Sequence, residues 1–501
     1  MKSAALLLLV SGTAARPLTR VGLIRAYISA GWDALTRSNR TLAAAAADPK
    51  LGPKARALVY LPADADLEEV SARLQKEVAP RDWARLSLRR LPSSGRPPGE
   101  AGLLYLPKPY VVTGGRFNEM YGWDSYFILV GLLRDGRVEL AKDMTDNFLY
   151  EVAHYGKVLN ANRTYYLTRS QPPFLSEMVL AVYERTGDRA WLAAAAPLLE
   201  RYYAYWTSGP HAIGGLGLSR YYDSGEGPAP EVLAGERDAA GLTHYDRIKR
   251  ALGVKRLSRD FYKNDRSMRE SGFDPSERFG RFNSEVLRIA PVCLNSLLYR
   301  MELDLAAVHA ALRDGGAARW KARAAARRER INALMWDEKA GLYFDYDFQA
   351  RRRRDYPFVT TFYPLWAGLA QPRQAQRVRA NLPLFERPGG LRTSVNRSGE
   401  QWDAPFGWAP MQLLAVEGLR RYGYGADADR ISVEFLSLVL QEFEKHHAIV
   451  EKYDVEARTS TLAADLKFGY ESNEIGFGWT NAAFEELYSQ LPAAARRRLE
   501  K

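Results

Sequence analysis

The sequence predicts an all-α protein, and three observations carry that prediction. Apolar residues recur at helical spacing along most of the chain, helical stretches alternate with loops rich in aromatic and charged residues, and strand-like alternation is confined to two short places. Ile431, Phe435, Leu438, Val439 and Phe443 fall on one face of a helix. Similar stretches run near 131–155, 176–187, 190–206, 284–312, 318–335 and 409–421. ALVYLPAD at 57–64 reads as a strand, and GLYFDYDF at 341–348 as a short hairpin. There is no βαβ alternation, and no GxGxxG run opens a helix, which argues against a nucleotide-binding sheet.

In chain order, the N-terminus MKSAALLLLVSGTAA carries a lysine, an apolar run from Ala4 to Val10, and small residues ending at Ala15. That layout predicts an export signal over 1–15 and a periplasmic or secreted protein, with a cytoplasmic one as the alternative. Residues 16–105 are expected to pack as an N-terminal segment on a catalytic unit over 106–492. LRRLPSSGRPPGEAG at 88–102 reads as an exposed loop before the functional segment rather than an interdomain linker. The stretch VVTGGRFNEMYGWDS at 111–125 also reads as a loop, because paired glycines mark a turn or a close backbone approach. No later segment reaches the ~20 apolar residues of a membrane span.

Composition narrows the function classes. With 501 residues, 47% hydrophobic and 26% charged, the chain can bury a sizeable core. The net charge of +12 comes largely from arginines in polar runs such as RRRR at 351–354. No nucleic-acid-binding motif accompanies them, so they read as solvated faces and no nucleic-acid partner is expected. The single cysteine, Cys293, excludes an intrachain disulfide and lies among apolar neighbours as a buried thiol would. The sequence does not fix the oligomeric state, and a monomer is the expectation.

The chemistry is carried by six loops: VVTGGRFNEMYGWDSYF, LNANRTYYLTRSQPP at 159–173, MRESGFDPSERF at 268–279, QWDAPFGWAP at 401–410, IVEKYDV at 449–455 and YESNEIGFGWTN at 470–481. Each joins a carboxylate or an arginine to aromatics. The six histidines fall in no metal-ligand spacing, and there is no GxSxG elbow, phosphate-binding loop or calcium loop, so neither metal nor cofactor is expected. Carboxylates, arginines and tryptophans remain. Cleavage of a glycosidic bond needs a proton donor and a second carboxylate, aromatic walls suit pyranose rings, and arginines suit their hydroxyls.

Two of these loops carry a family signature. GGRFNEMYGWDS resembles the PGGRFxExYxWDSY signature of the trehalases, and GEQWDAPFGWAP resembles their QWDxPxGWAP signature. LNANRTYYLTRSQPPF, RESGFD, VEKYDV and GFGWTN follow in the family's order, so the resemblance runs from about residue 30 to 490. It is nearest to the catalytic domain of the neutral-type branch, without the calcium-binding segment, so no calcium control is expected.

The resemblance implies an (α/α)6 toroid with short β-hairpins in its loops, and hydrolysis of the disaccharide α,α-trehalose to two glucoses with inversion. It implies Asp274 as general acid and Glu451 as general base. Arg116, Asn160, Arg169 and Arg269 match the family's substrate-binding residues, with Trp123, Asp124, Gln171, Glu231 and Trp402 around them. Asp124, Asp403 and Arg163 are open to a second reading as braces for the binders. Two departures stand out. Ala229 replaces an arginine that many members carry, and LKFGYESNEIGFGW replaces a glycine-rich lid, leaving Glu471 or Glu474 to close over the site. The alternatives are an inverting hydrolase of another α-glucoside and a non-catalytic sugar-binding protein.

Overall fold

The computed structural model describes residues 18–48, 57–235, 237–238, 240–462, 466–469 and 472–501. The export-signal expectation over 1–15 and the candidate Glu471 lie outside the described residues.

α1 (Arg20–Leu35) buries Val21, Ile24, Ile28 and Trp32 along one stripe, and Thr19 caps it by accepting from the Gly22 amide. A small parallel sheet follows, with β1 (Ala57–Leu61) between β2 (Leu86–Arg90) and β3 (Leu103–Leu104). Its crossover is α2 (Leu67–Glu77), started by Asp66, whose carboxylate accepts from the Glu68 and Glu69 amides. The sheet has its own core around Val59, Leu61, Leu74 and Leu103.

Helical hairpins then succeed one another. They are α3 (Gly122–Arg134) with α4 (Val138–Tyr155), and α5 (Leu175–Thr186) with α6 (Arg189–Thr207). A long excursion carries α7 (His244–Leu252) and α8 (Arg259–Glu270). After it come α9 (Val292–Leu312) with α10 (Ala317–Met335), α11 (Tyr363–Trp366) with α12 (Pro372–Ala380), and α13 (Ala409–Arg421) with α14 (Gly425–His446). Last comes α15 (Gly478–Gln490). The first helices of these pairs form an inner ring: α3 packs on α5, α5 on α9, α9 on α11, α11 on α13, α13 on α15, and α15 back on α3. α1 packs on α14 and α15, so the sixth pair is assembled from the two ends of the chain.

This is the expected (α/α)6 toroid, with one continuous core running round the ring. The inner helices are buried on nearly every side: α3 and α15 each bury almost all their residues, whereas α10 buries one stripe.

Several local expectations are corrected. Trp123 and Asp124 belong to the first turn of α3, not to a loop; the loop proper ends at Tyr121. The all-apolar run behind them hides the helix, since a helix buried all round has no polar face to reveal its period. Residues 341–348 do not form a hairpin. Leu342–Tyr343 pairs with Trp336–Asp337, while Tyr346–Asp347 joins a separate sheet with Ile289–Ala290 and Arg352–Arg353. Residues 88–90 are the end of β2 rather than loop, and the sheet they join is parallel. No described helix is long and apolar enough to cross a membrane. Cys293 is buried on α9, with Arg278 donating to its sulfur at 3.3 Å, and burial raises its thiol pKa.

Candidate active site

A cavity of about 200 Å³ opens at the end of the toroid where the chain enters the inner helices. Its floor is tryptophan. Trp402 stacks on Trp408 at 3.9 Å, Trp123 tilts against Trp402 at 5.7 Å, and Trp479 stands edge-on to all three. The indole nitrogens are spent on the backbone: Trp408 Nε1 donates to the Gln401 carbonyl and Trp479 Nε1 to that of Glu451. A buried indole needs such a partner, and the choice of partner here fixes the chain at Gln401 and Glu451 to the wall.

Asp274 and Glu451 both line this cavity. Asp274 follows α8 and the turn at Gly272, whose φ is +76° and whose missing Cβ would stand 2.8 Å from the Trp123 ring. Only glycine lets the chain cross the indole there. The Gln401 side chain donates to the Asp274 carbonyl at 2.5 Å, and the Arg269 guanidinium lies 3.4 Å from the Asp274 carboxyl. The Asp274 carboxyl is 36% exposed, into the cavity. Its pKa is pushed up to about 7: desolvation raises it, Arg269 and Arg169 pull it down, and Glu231 raises it.

Glu451 is buried at the edge of a two-stranded ribbon in which β4 (Phe406–Trp408) pairs with β5 (Lys452–Asp454). The Glu474 carbonyl accepts from its amide at 3.0 Å. The buried Lys452 ammonium lies 3.6 Å from Glu451 Oε2 and also reaches Gln401 Oε1, so a positive charge stands behind this carboxylate. Asp124, like Glu231, also lines the cavity. Burial first, then the Glu451 charge, hold its pKa well above the usual carboxylate range, against the pull of its own amide in the first turn of α3.

The opposite wall is a lattice of arginines and carboxylates. Arg169 donates from Nε to Asn160 Oδ1 and from Nη2 to Glu231 Oε1, both at 2.6 Å, with Asp223 at 3.5 Å. Arg269 is held by Asp265 at 3.0 Å. Glu231 Oε2 is buried and has no hydrogen-bond partner among the described residues. Gln171 lines the cavity too, and its Oε1 accepts from the Trp123 amide at 3.0 Å, capping α3.

The glycine pair has a specific cause. Gly115 has φ +49°, and a Cβ there would stand 1.9 Å from Glu474 Oε2. Into that space the Glu474 carboxylate reaches, accepting from the Arg116 amide at 3.0 Å, with Arg116 Nε 3.4 Å away. Arg116 itself lines the cavity. Glu474 is not among the lining residues, so its position is that of a clamp on the 111–121 loop rather than of a group facing the cavity.

Of the three possible braces, Asp124 lines the cavity, whereas Arg163 and Asp403 are bonded away from it. Arg163 bonds Glu119 and the carbonyls of Ala45, Ala46 and Ala47, away from the cavity. Asp403 accepts from Ser394, Ser398, Tyr356 and the Glu277 amide. Ala229 is buried with Val232, Tyr245 and Phe282 and does not reach the cavity.

Sequence reasoning missed Tyr121, Tyr166, His244, Arg247 and Gln401, all of which line the cavity. Gln401 stood inside a quoted motif and could have been found there. His244 and Arg247 fall in a charged stretch with no motif and gave no signal. Among the described residues no group of three His, Cys, Asp or Glu side chains is arranged to hold a metal.

Comparison with known proteins fits this geometry. The trehalase family model matches residues 36–491. A cytosolic neutral trehalase of Saccharomyces cerevisiae is 38% identical over 438 residues, covering 78% of this chain and 58% of the relative. That of Emericella nidulans is 38% identical over 443 residues, covering 78% and 59%. The chain thus spans somewhat more than half the length of these relatives. The solved neutral trehalase Nth1 of Saccharomyces cerevisiae superposes with a TM-score of 0.82 at 33% identity, covering 96% of both chains. A mannosylglycerate hydrolase of Thermus thermophilus shares the fold alone, at 19% identity and a TM-score of 0.53 over 76% of this chain and 96% of that one. A helical toroid with its carboxylates and arginines gathered at one mouth, matched along nearly its whole described length, leaves one assignment: the chain belongs to the trehalase family.

Proposed function

We propose that the protein hydrolyses α,α-trehalose to two molecules of glucose, with inversion at the attacked carbon. The observation that carries the reading is the pair of unlike carboxyls in one cavity. Asp274 has a pKa near 7 and can hold a proton at neutral pH, while Glu451 has the Lys452 ammonium 3.6 Å away. Asp274 then gives its proton to the bridging oxygen as that C–O bond breaks. Glu451 takes a proton from the water that attacks the anomeric carbon from the other face. Each turnover leaves Asp274 ionised and Glu451 protonated, and exchange with solvent resets both. In an inverting enzyme the two carboxyls stand about 6.5 to 9.5 Å apart to admit that water.

The binding roles follow the same reading. The tryptophan floor with Asp124 holds the ring that is attacked. Arg169, Glu231, Arg269 and Asn160 hold the ring that leaves. Glu474 positions Arg116 through the loop it clamps. The relatives named as cytosolic neutral trehalases favour the cytoplasm as the compartment and give no support to export through residues 1–15.

The test is NMR of the products during the first turnovers of trehalose, with Asp274→Asn and Glu451→Gln in parallel. One α-glucose and one β-glucose per trehalose are expected, and each variant should lose about 10²- to 10⁴-fold in kcat, the range for a lost general acid or base. Two α-glucoses, or a variant with near-normal turnover, would refute the scheme. Cleavage of other α-glucosides with trehalose left intact would keep the chemistry and change the substrate.

A further inference from the structure

A chain of contacts runs from Asp274 towards His244: Arg269 lies 3.4 Å from the Asp274 carboxyl, Asp265 holds Arg269 at 3.0 Å, and Tyr245, the neighbour of His244, donates to Asp265 at 2.7 Å. His244 therefore stands on the Asp274 side of the cavity. It is the first residue of α7, and its Nε2 is buried without a hydrogen-bond partner among the described residues while the side chain lines the cavity. A buried ring nitrogen left unbonded costs free energy unless something that enters the cavity bonds it.

The ring is held, so its direction is not accidental. Thr243 and Asp246 form a capping box under the start of α7. The next residue, Tyr245, accepts from the Ala229 amide and donates to Asp265, the same carboxylate that holds Arg269. Phe468 packs edge-on to the imidazole at 6.1 Å, and Arg247, one turn on, donates to the carbonyls of Lys467 and Gly469. Desolvation, with Arg269 and Arg247 nearby, lowers the His244 pKa to about 3, so the imidazole is neutral across the working range. The cations around it are already engaged: Arg269 by Asp265 and Asp274, Arg169 by Asp223 and Glu231, and Arg247 by backbone carbonyls. An uncharged hydroxyl fits this corner better than an anion.

We propose that His244 determines specificity for the leaving sugar, its Nε2 exchanging a hydrogen bond with a ring hydroxyl of the glucose released from the Asp274 side. The inference rests on the disaccharide reading above and adds a residue to it. The experiment compares trehalose with α-glucosyl fluoride, which carries the attacked ring and no second sugar, in the wild type, His244→Phe and His244→Gln. Phenylalanine keeps the packing against Phe468 and loses the nitrogen; glutamine keeps a polar group at similar reach. His244→Phe should lose about ten-fold in kcat/KM on trehalose, the scale of one uncharged hydrogen bond, with fluoride turnover unchanged and glutamine recovering part of the loss. Equal loss on both substrates would overturn the proposal, because the effect would then belong to the shared ring or to folding. So would unchanged turnover of trehalose. A wild type inert towards trehalose would remove the disaccharide reading and this proposal together, whereas a wild type that cleaves it with an indifferent His244→Phe removes the proposal alone.

Discussion

Arg163 and Arg169 stand six residues apart in LNANRTYYLTRSQPP, both buried and both paired with a glutamate, yet they belong to different parts of the molecule. Arg163 bonds Glu119 at 2.7 Å and three backbone carbonyls of residues 45–47, which cannot move without unfolding their segment. Arg169 is held by side chains alone, Asn160, Glu231 and Asp223, and two of those face the cavity. One arginine is closed off by main chain. The other is part of a lattice in which one acceptor, Glu231 Oε2, has no hydrogen-bond partner among the described residues. A buried charge says little by itself; the kind of atom that neutralises it says whether it braces or binds.

That distinction can be broken by measurement. Arg163→Ala leaves Glu119 buried beside orphaned carbonyls, and removal of one partner from such a pair costs about 3–5 kcal/mol. A large fall in thermal midpoint is expected, with KM unchanged in the protein that stays folded; a KM effect at retained stability would place Arg163 among the binders. Arg169→Ala should do the opposite. Its kcat/KM on trehalose should fall about 10- to 100-fold, the scale of a charged hydrogen bond, with a smaller shift in thermal midpoint. A variant that unfolds without a specific kinetic defect would erase the contrast.

The smallest effect concerns Asp274, where binding chemistry opposes stability. Its folded pKa near 7 lies above the unfolded value of 3.8, so the native state holds a proton that the unfolded chain gives up. Between those values rising pH favours unfolding, and above pH 7 the cost is complete. Asp274→Asn should therefore melt a little higher than the wild type at pH 8 and equally with it below pH 4. The kcat/KM of the wild type should fall as pH rises through about 7, as the acid ionises. A variant that melts lower than wild type at pH 8 would show that the carboxylate stabilises the native state.

The motifs made much of the cavity legible, because glycine pairs, tryptophans and carboxylates crowd into short stretches whose chemistry is local. The resemblance to the trehalase signatures singled out Trp123, Asp274 and Trp402 within those stretches, and all three line the cavity. What could not be read was set by tertiary packing. The α3 helix has no polar face, so Trp123 and Asp124 looked like loop residues. α7 has the opposite problem. HYDRIKRAL is polar enough to pass for a solvated surface helix, and only the folded arm turns His244 and Arg247 towards the cavity. β2 was disguised by its arginines, LSLRR, since its last two residues are exposed at the edge of the small sheet. Arg163 and Arg169 looked alike because the carbonyls that separate them come from residues 45–47, remote in sequence.

The clamp of Glu474 in the space above Gly115 joins points 359 residues apart, and α15, which closes the inner ring on α3, begins just beyond it at Gly478. During synthesis the ribosome delivers Arg116, Arg169 and Asp274 long before the segment that carries Glu451 and completes the mouth. A nascent chain that ends before residue 451 thus holds Arg116, Arg169 and Asp274 without Glu451 or the Glu474 clamp. The wall that Phe477 and Trp479 give the cavity is therefore in place only once α15, the last helix of the inner ring, has been made.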